Sequence, residues 1–408
     1  MTNYIILAFC LLILLAYLFD ITSRYTKIPG VILLIGLGIA IQVLVNITGF
    51  KMPDMEPLLP VIGTVGLILI VMEASMDLKL GRNKLGLIFK SVSAAILLFA
   101  FFVAIMTLVL TKLLDYPVID SLLNAIPFGI ISSAVAISSA GNLNQEQKEF
   151  VVYESSFSDI IGILVFDFIL IYQDSIGQGL MNFTLKGMLT IIIAIIITSA
   201  LAMLLHKITY HINYIIILTS VVLIYSLAKM IHLPALLLVM AFGIAMANYK
   251  LVENSLIRRY VDFDKFGNDL VSFKKIMTEF TFVVRSFFFI MFGYYTKIEG
   301  LLSFRNILTS VIIIAGIYSL RIIFLRKFIK IPLFPYLFFS PRGLITILLF
   351  LSIPAALRIE PINEQVVTLV ILISILLMMF GNIFYRTEKI PAEEQGPAAV
   401  KVSEPEQT

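Results

Sequence analysis

Charge is scarce in this chain. Only 14% of its 408 residues are Asp, Glu, Lys or Arg, while 60% are apolar and the mean hydropathy is +1.02. A soluble domain carries about a quarter charged and about half apolar residues, so it would have nowhere to bury this much apolar surface. Cysteine is represented by Cys10 alone, which excludes a disulfide framework and a cysteine-based metal cluster. Its place in the first apolar stretch reads as packing. The three histidines, His206, His211 and His232, stand at segment ends without the spacing of a metal-binding helix. Walker-type phosphate loops, GxGxxG fingerprints and GxSxG elbows are also missing. The simplest support for nucleotide-driven pumping and for serine hydrolysis goes with them. The first apolar stretch begins at Tyr4 with no basic region before it and no small-residue cleavage site, as expected of a retained helix rather than a signal peptide.

What the sequence does have is a series of apolar segments, each of about 16–25 residues, the length of helix that crosses about 30 Å of hydrocarbon. Strands of alternating polarity are missing, and only helices or closed barrels satisfy their backbone within lipid, so the fold class expected is an all-α polytopic membrane protein. About thirteen spans are predicted by length and hydropathy. The first seven are Tyr4–Phe19, Val31–Ile47, Leu59–Met76, Ile88–Leu110, Ser121–Ala140, Val151–Tyr172 and Met188–Leu205. The remaining six are Tyr214–Lys229, Pro234–Asn248, Ile276–Tyr295, Ile307–Phe324, Phe334–Leu357 and Val366–Tyr385. Two longer polar segments stand apart: a basic loop, Lys250–Lys275, and a Glu- and Pro-rich tail, 386–408, whose composition predicts disorder. Odd-numbered loops and the tail hold about three times as many Lys and Arg as the even-numbered loops. That bias predicts an outside N-terminus and a cytoplasmic C-terminus, which an odd number of spans satisfies.

Charges inside spans are costly and mark a pathway or a paired structural site. The sixth span carries the strongest such signal, Tyr153-Glu154-Ser155-Ser156-Phe157-Ser158-Asp159-Ile160-Ile161-Gly162. At helical spacing Ser155, Ser158, Asp159 and Gly162 share one stripe. A carboxylate flanked by hydroxyls suits a hard cation such as Na⁺, or a proton. Glu154 points away from Asp159 on such a helix and is expected to serve another partner. The fifth span contains the small, hydroxyl-rich stretch Ile131-Ser132-Ser133-Ala134-Val135-Ala136-Ile137-Ser138-Ser139-Ala140-Gly141 after Pro127 and Gly129, and the twelfth contains Ser340-Pro341-Arg342-Gly343. The fifth-span segment reads either as a close-packed small-residue interface or as unwound backbone. Two interrupted helices, one in each half, point to an inverted-repeat transporter with its site at the midplane. A buried Arg342 needs an anion, for which Glu154 is the candidate. Arg321 is expected either to neutralise Asp159 or to snorkel to the surface. Glu73, late in the third span, reads equally as part of a pathway or as interfacial. Arg285, deep in the tenth span, reads as structurally paired, and Asp167 and Lys90 as interfacial.

These residues resemble the monovalent cation:proton antiporter superfamily, especially its NhaP-like branch, over essentially the whole membrane region. Glu154-Ser155-Ser156-Phe157-Ser158-Asp159 is similar to the family's E-S-L-x-N-D signature, with Asp159 at the ion-binding aspartate and Ser158 replacing the usual Asn or second Asp. Arg342-Gly343 resembles the R-G pair of the family's second unwound helix, whose arginine pairs with the glutamate matched by Glu154. Arg321 resembles the basic residue facing the ion site from the preceding helix, and Glu73 an acidic position in the third helix. Where the family reads T-D-P in its fifth helix, this chain has Ser132-Ser133-Ala134, closer to Kef-type potassium efflux systems.

The resemblance implies an NhaA-like inverted repeat with two crossed unwound helices: one transmembrane domain over 1–385, with repeats at roughly 1–172 and 214–385 joined by a seventh helix at 188–205. It implies exchange of a monovalent cation (Na⁺ first, K⁺ or Li⁺ as alternatives) for H⁺ by alternating access. Asp159, Ser155, Ser158, Glu73, Ser132 and Ser133 would hold the ion or proton, and Glu154, Arg342 and Arg321 would compensate charge. With Ser158 in place of a second aspartate, the expected exchange is one-for-one and electroneutral. A homodimer in the inner membrane, no enzymatic activity, no cofactor beyond the transported ions, and no nucleic acid partner complete the expectation. Two other readings stand beside it: a Na⁺-coupled organic anion symporter of the same architecture, and a non-transporting membrane sensor.

Overall fold

The computed structural model describes residues 2–26, 28–49, 58–78, 84–171, 184–194, 196, 213–231, 233–249 and 263–384. The three histidines, most of the predicted seventh span, residues 250–262 of the basic loop and the tail 386–408 lie outside the described residues. Every regular element among the described residues is helical. The first half comprises α1 (Thr2–Thr26), α2 (Gly30–Thr48), α3 (Leu59–Asp77), α4 (Leu85–Leu113), α5 (Val118–Gly129), α6 (Ser133–Ser139) and α7 (Gln145–Ile171). After α8 (Thr184–Ala194) come α9 (Asn213–Met230), α10 (Ala235–Ala247), α11 (Phe263–Tyr295), α12 (Phe304–Phe324), α13 (Leu344–Ser352) and α14 (Glu364–Phe384). Several of these are long and apolar enough to cross a membrane, α2, α4 and α12 among them. Leu14, Leu108, Leu223 and Ile312 stand exposed on the outside of the bundle, an apolar surface suited to lipid and not to water. Cys10 is exposed in the same way, so it does not pack against the protein.

The helices assort into two groups. In one, α11 packs on α2 and α3, α10 on α3, and α1 on α2. Glycines set the closeness of the first contact. A Cβ on Gly38 would lie 2.1 Å from the Ile290 carbonyl oxygen, and one on Gly293 would lie 2.3 Å from that of Ile35, so the α2 and α11 backbones touch directly. In the other group α4 packs on α5 and α7, α6 on α7, α12 on α4 and α14, and α13 on α5 and α14. The groups meet where α3 contacts α6, α7 and α13.

Two predicted spans are not continuous helices. The fifth is split into α5 and α6: α5 carries Pro127, which has no N–H to give, in its last turn, and the chain then turns extended from Ile130 to Ser132. The twelfth departs further from expectation. After α12 the helix widens into a π-helical turn, Leu325–Ile329, and Lys330 is left-handed at φ 56°. The chain then runs without regular structure to Gly343, through Pro332, Pro335 and Pro341, before α13 begins at Leu344. Prolines there remove the donors that a helix would need.

The basic loop is shorter than expected. Residues 263–275 belong to α11, which extends well before the predicted start at Ile276. A helix that projects beyond hydrocarbon needs no apolar run, so hydropathy did not reveal this part. Its Lys274 ion-pairs with Asp77 at the end of α3.

Candidate ion-binding site

The two interruptions cross, and their freed backbone groups satisfy one another. The Ser132 N–H donates to the Pro341 carbonyl at 2.8 Å. Arg342 reaches across and donates from Nε to the Phe128 carbonyl near the end of α5, at 2.7 Å. Its Nη1 also donates to the Ser340 carbonyl and hydroxyl, at 3.1 and 3.0 Å, while its own N–H is held by the Ser374 hydroxyl at 2.9 Å. Gly343 permits the close approach: a Cβ there would lie 2.4 Å from Ser132 Oγ. Buried backbone left without partners costs free energy in protein and in lipid alike, so these bonds make the irregular crossing possible.

One face of α7 receives the first break. The Ile131 N–H donates to Ser158 Oγ at 2.9 Å, and the Ser133 N–H to Asp159 Oδ2 at 3.3 Å. The Ser133 hydroxyl stands beside the same carboxylate. One turn further, Gly162 leaves room for Ile130, whose side chain would lie 2.2 Å from an added Cβ. The helical stripe thus brings Ser158, Asp159 and Gly162 against the extended backbone of 130–133. Asp159 is buried, and its Oδ1 has no hydrogen-bond partner. Ser155, on the same stripe, donates its hydroxyl to the Val151 carbonyl at 2.7 Å and keeps lone pairs for a ligand.

The arginine assignment differs from the sequence reading. Glu154 is bound by Arg321, not Arg342: Arg321 Nη1 and Nη2 reach the two Glu154 oxygens at 2.7 and 2.8 Å. Both residues are about 1% exposed, so Arg321 neither snorkels nor stands free to neutralise Asp159. The remaining Arg321 donors go to the Tyr336 carbonyl at 2.9 and 2.8 Å and to that of Phe339 at 3.2 Å. The irregular chain after α12 therefore wraps the guanidinium with carbonyls. Arg342 sits among carbonyls and hydroxyls instead, which its charge tolerates near the negative end of α5.

A cavity of about 650 Å³ leads from one end of the bundle towards this crossing. Asp20, Asp77 and Lys148 lie towards element ends, and Ser133 and Ala134 form part of the wall at the crossing. Ser133 therefore stands between the cavity and Asp159. Glu73 lines the cavity, close to the Thr278 side chain of α11, and Arg285 lines it as well. Ser138 and Asn382 line it too; Ser138 belongs to the hydroxyl-rich fifth-span stretch, whereas nothing in the sequence singled out Asn382. Asn382 is tied to the core by donating to the Ser139 carbonyl at 2.9 Å. Ser132 does not line the cavity wall described; it is committed to the crossing through Pro341 and Gly343. Among the described residues no cluster of three His, Cys, Asp or Glu forms a metal site.

The same architecture is found in solved structures. The sodium proton antiporter MjNhaP1 from Methanocaldococcus jannaschii, in its structure at pH 8, superposes with a TM-score of 0.70 over 92% of this chain and 98% of its own, at 17% identity. Its electron-microscopy structure gives a TM-score of 0.68 at 16% identity, covering 94% of this chain and 95% of its own. No curated protein is similar to the chain at the level of sequence. The family model described as sodium/hydrogen exchanger, transmembrane, matches residues 10–385, and with nearly the whole helical bundle covered, the chain belongs to the sodium/hydrogen exchanger family.

Proposed function

We propose that this protein exchanges Na⁺ for H⁺, one for one, with Asp159 as the shared binding group. The observation that carries the reading is a buried carboxylate at the crossing of two broken helices, with one oxygen held by a backbone N–H and the other without a partner. An unpaired carboxylate in a low-dielectric site is stabilised by binding either a proton or a cation, and the two exclude one another. Competition for one group couples the flows without any further device. Ser133 and Ser155 supply neutral oxygens beside it, a donor set that suits a hard monovalent cation.

Charge at the crossing supports a one-for-one stoichiometry. Glu154 and Arg321 cancel as a bonded pair, and Arg342 opposes an ionised Asp159. Binding either H⁺ or Na⁺ then leaves the same net charge on the moving group of helices. The cavity reaches the crossing from the end that carries Asp77 and Lys148, which the basic-loop bias assigns to the cytoplasm. In this reading the structure is open inward, the protein resides in the inner membrane as a homodimer, and the two halves are inverted repeats.

The test is cation-driven proton flux in proteoliposomes, with Na⁺, Li⁺ and K⁺ compared on the wild type and on D159N. Flux in the wild type that D159N abolishes, while the variant melts at or above the wild-type temperature, is the expected result. A D159N protein that still exchanges overturns the assignment. Flux that responds to an imposed voltage overturns the one-for-one count. Flux that requires an organic anion replaces exchange by the symporter reading.

A further inference from the structure

We infer that the Ser156 hydroxyl is a ligand of the transported cation, which it binds together with the free oxygen of Asp159. The inference rests on the exchange reading above and adds a residue to its site. Three serines precede Asp159 within about one turn of α7. Two are engaged by the protein: Ser155 donates to the Val151 carbonyl, and Ser158 Oγ accepts the Ile131 N–H. Ser156 is fully buried, and its Oγ has no hydrogen-bond partner among the described residues. A helical serine can give its proton to the carbonyl three or four residues before it, as Ser75, Ser91 and Ser310 do. Ser156 does not, so its oxygen is turned away from its own backbone. In the E-S-L-x-N-D pattern the same position is leucine, which makes this hydroxyl an addition in this chain.

A buried polar atom without a partner costs stability, and here two such atoms stand together. Residues three apart on a helix are neighbours, with Cβ atoms about 5–6 Å apart. Ser156 Oγ and Asp159 Oδ1 are thus one turn apart, and since neither has a partner they do not bond each other. An ion between the two oxygens satisfies both. At about 100° per residue, Ser156 lies about 60° round the helix from Asp159 and about 40° from Ile160. Asp159 meets the broken backbone at Ser133, whereas Ile160 packs with Leu78 just after α3. Ser156 therefore faces the seam between the two groups of helices, where α7 meets α3. A proton needs the Asp159 oxygen alone, while a hard cation needs several oxygens around it. Ser156 thereby favours the cation over the proton in their competition for Asp159.

The experiment measures apparent KM for Na⁺ in proteoliposomes, and Tm in detergent with NaCl or choline chloride at equal ionic strength, for wild type, S156A and S121A. Ser121 is the control: its hydroxyl is also buried without a partner, but it lies about 13 Å along α5 from the break at Ile130. S156A is expected to raise KM by about tenfold, the size of one hydroxyl bonded to a charged group. The factor is the same at every pH, since proton binding is left to Asp159. Na⁺ raises the Tm of the wild type by binding its folded state, and it raises that of S156A less. In choline chloride S156A melts at or above the wild-type temperature, because an unpaired buried hydroxyl has been removed. S121A keeps the wild-type KM and the wild-type response to Na⁺. A folded S156A with an unchanged KM overturns the inference, as does a KM change that vanishes at high pH, which marks an effect on proton binding. An S156A that melts well below the wild type in choline chloride, or does not fold, shows a structural hydroxyl and overturns it as well. So does an S121A that matches S156A. A wild type with neither flux nor a Na⁺-dependent Tm overturns the exchange reading and this inference together, whereas wild-type flux with an unchanged S156A overturns this inference alone.

Discussion

Replacing Glu154 by Gln tests the internal electrostatics most directly. The substitution keeps the side-chain shape but leaves Arg321 charged, buried and without its carboxylate. Both residues are about 1% exposed, and the pair is bidentate at 2.7 and 2.8 Å, so solvent cannot make good the loss. Breaking a buried pair by removing one partner costs about 3–5 kcal/mol, chiefly because a desolvated charge is left behind. The carbonyls of Tyr336 and Phe339 remain on Arg321, which places E154Q towards the lower end of that range. At about 2 °C per kcal/mol for a chain of this length, Tm in detergent falls by about 6–8 °C. The double variant E154Q/R321Q loses less than the sum of the two single variants, by a coupling of about 2–3 kcal/mol. E154Q/R342Q shows a smaller coupling, since Arg342 bonds carbonyls and hydroxyls. Thermal melts of the wild type, the three single variants and the two double variants, read by size-exclusion recovery after heating, provide the comparison. An unchanged Tm for E154Q, or stronger coupling of Glu154 to Arg342 than to Arg321, refutes the pairing.

Two further outcomes follow from the packing and from the exposed charges. G343A brings a Cβ to within 2.4 Å of Ser132 Oγ and 2.8 Å of Ser132 Cβ, so it is expected to lower stability by about 1–3 kcal/mol, as overpacking does. S132G added to G343A restores the Tm, and failure to restore it means the contact is not the cause. At the start of α7, before the predicted span, the Lys84 ammonium lies 2.6 Å from Glu149 and, with the Gln145 amide, holds its carboxyl below the ordinary glutamate range. A lowered pKa contributes stability that is present above the ordinary glutamate range and lost as pH falls through the folded value. The pair is partly exposed, so its effect is small at neutral pH. E149Q removes this part of the acid sensitivity below about pH 4, and a wild type and E149Q with identical acid melts contradict it.

Much of the site was legible because its causes are local. Helical spacing alone puts Ser158, Asp159 and Gly162 on one face, and that face is the one the backbone of 130–133 meets. The breaks were legible from Pro127, Gly129, Pro341 and Gly343, whose backbone chemistry needs no tertiary context. The partner of Glu154 was not. Two arginines were available, and choosing between them requires knowing where the irregular stretch 330–343 runs after its helix ends. Helical periodicity gives no direction for side chains in such a stretch. The full length of α11 was hidden for a different reason, since its first turns are polar and leave no hydropathy signal. Arg285 looked like a structural charge because its only acidic neighbour in sequence, Glu279, is on its own helix. In space it lines the same cavity as Glu73 of α3.

The absence of a carboxylate in the fifth-span motif is easier to understand from these contacts. At the crossing the backbone of 131–133 holds α7 through N–H groups given to Ser158 and Asp159, and holds the second interruption through the N–H given to the Pro341 carbonyl. Any residue with an N–H supplies those bonds, so Ser132 and Ser133 can replace other side chains without disturbing the frame. What changes is the charge available to a ligand. With Glu154 committed to Arg321, Asp159 is the carboxylate left at the crossing with an oxygen free. A site with one such group has one negative charge to offer and can balance one cation or one proton at a time. The physical argument for the proposed one-for-one exchange thus comes from the arginine pairing as much as from the residues that line the site.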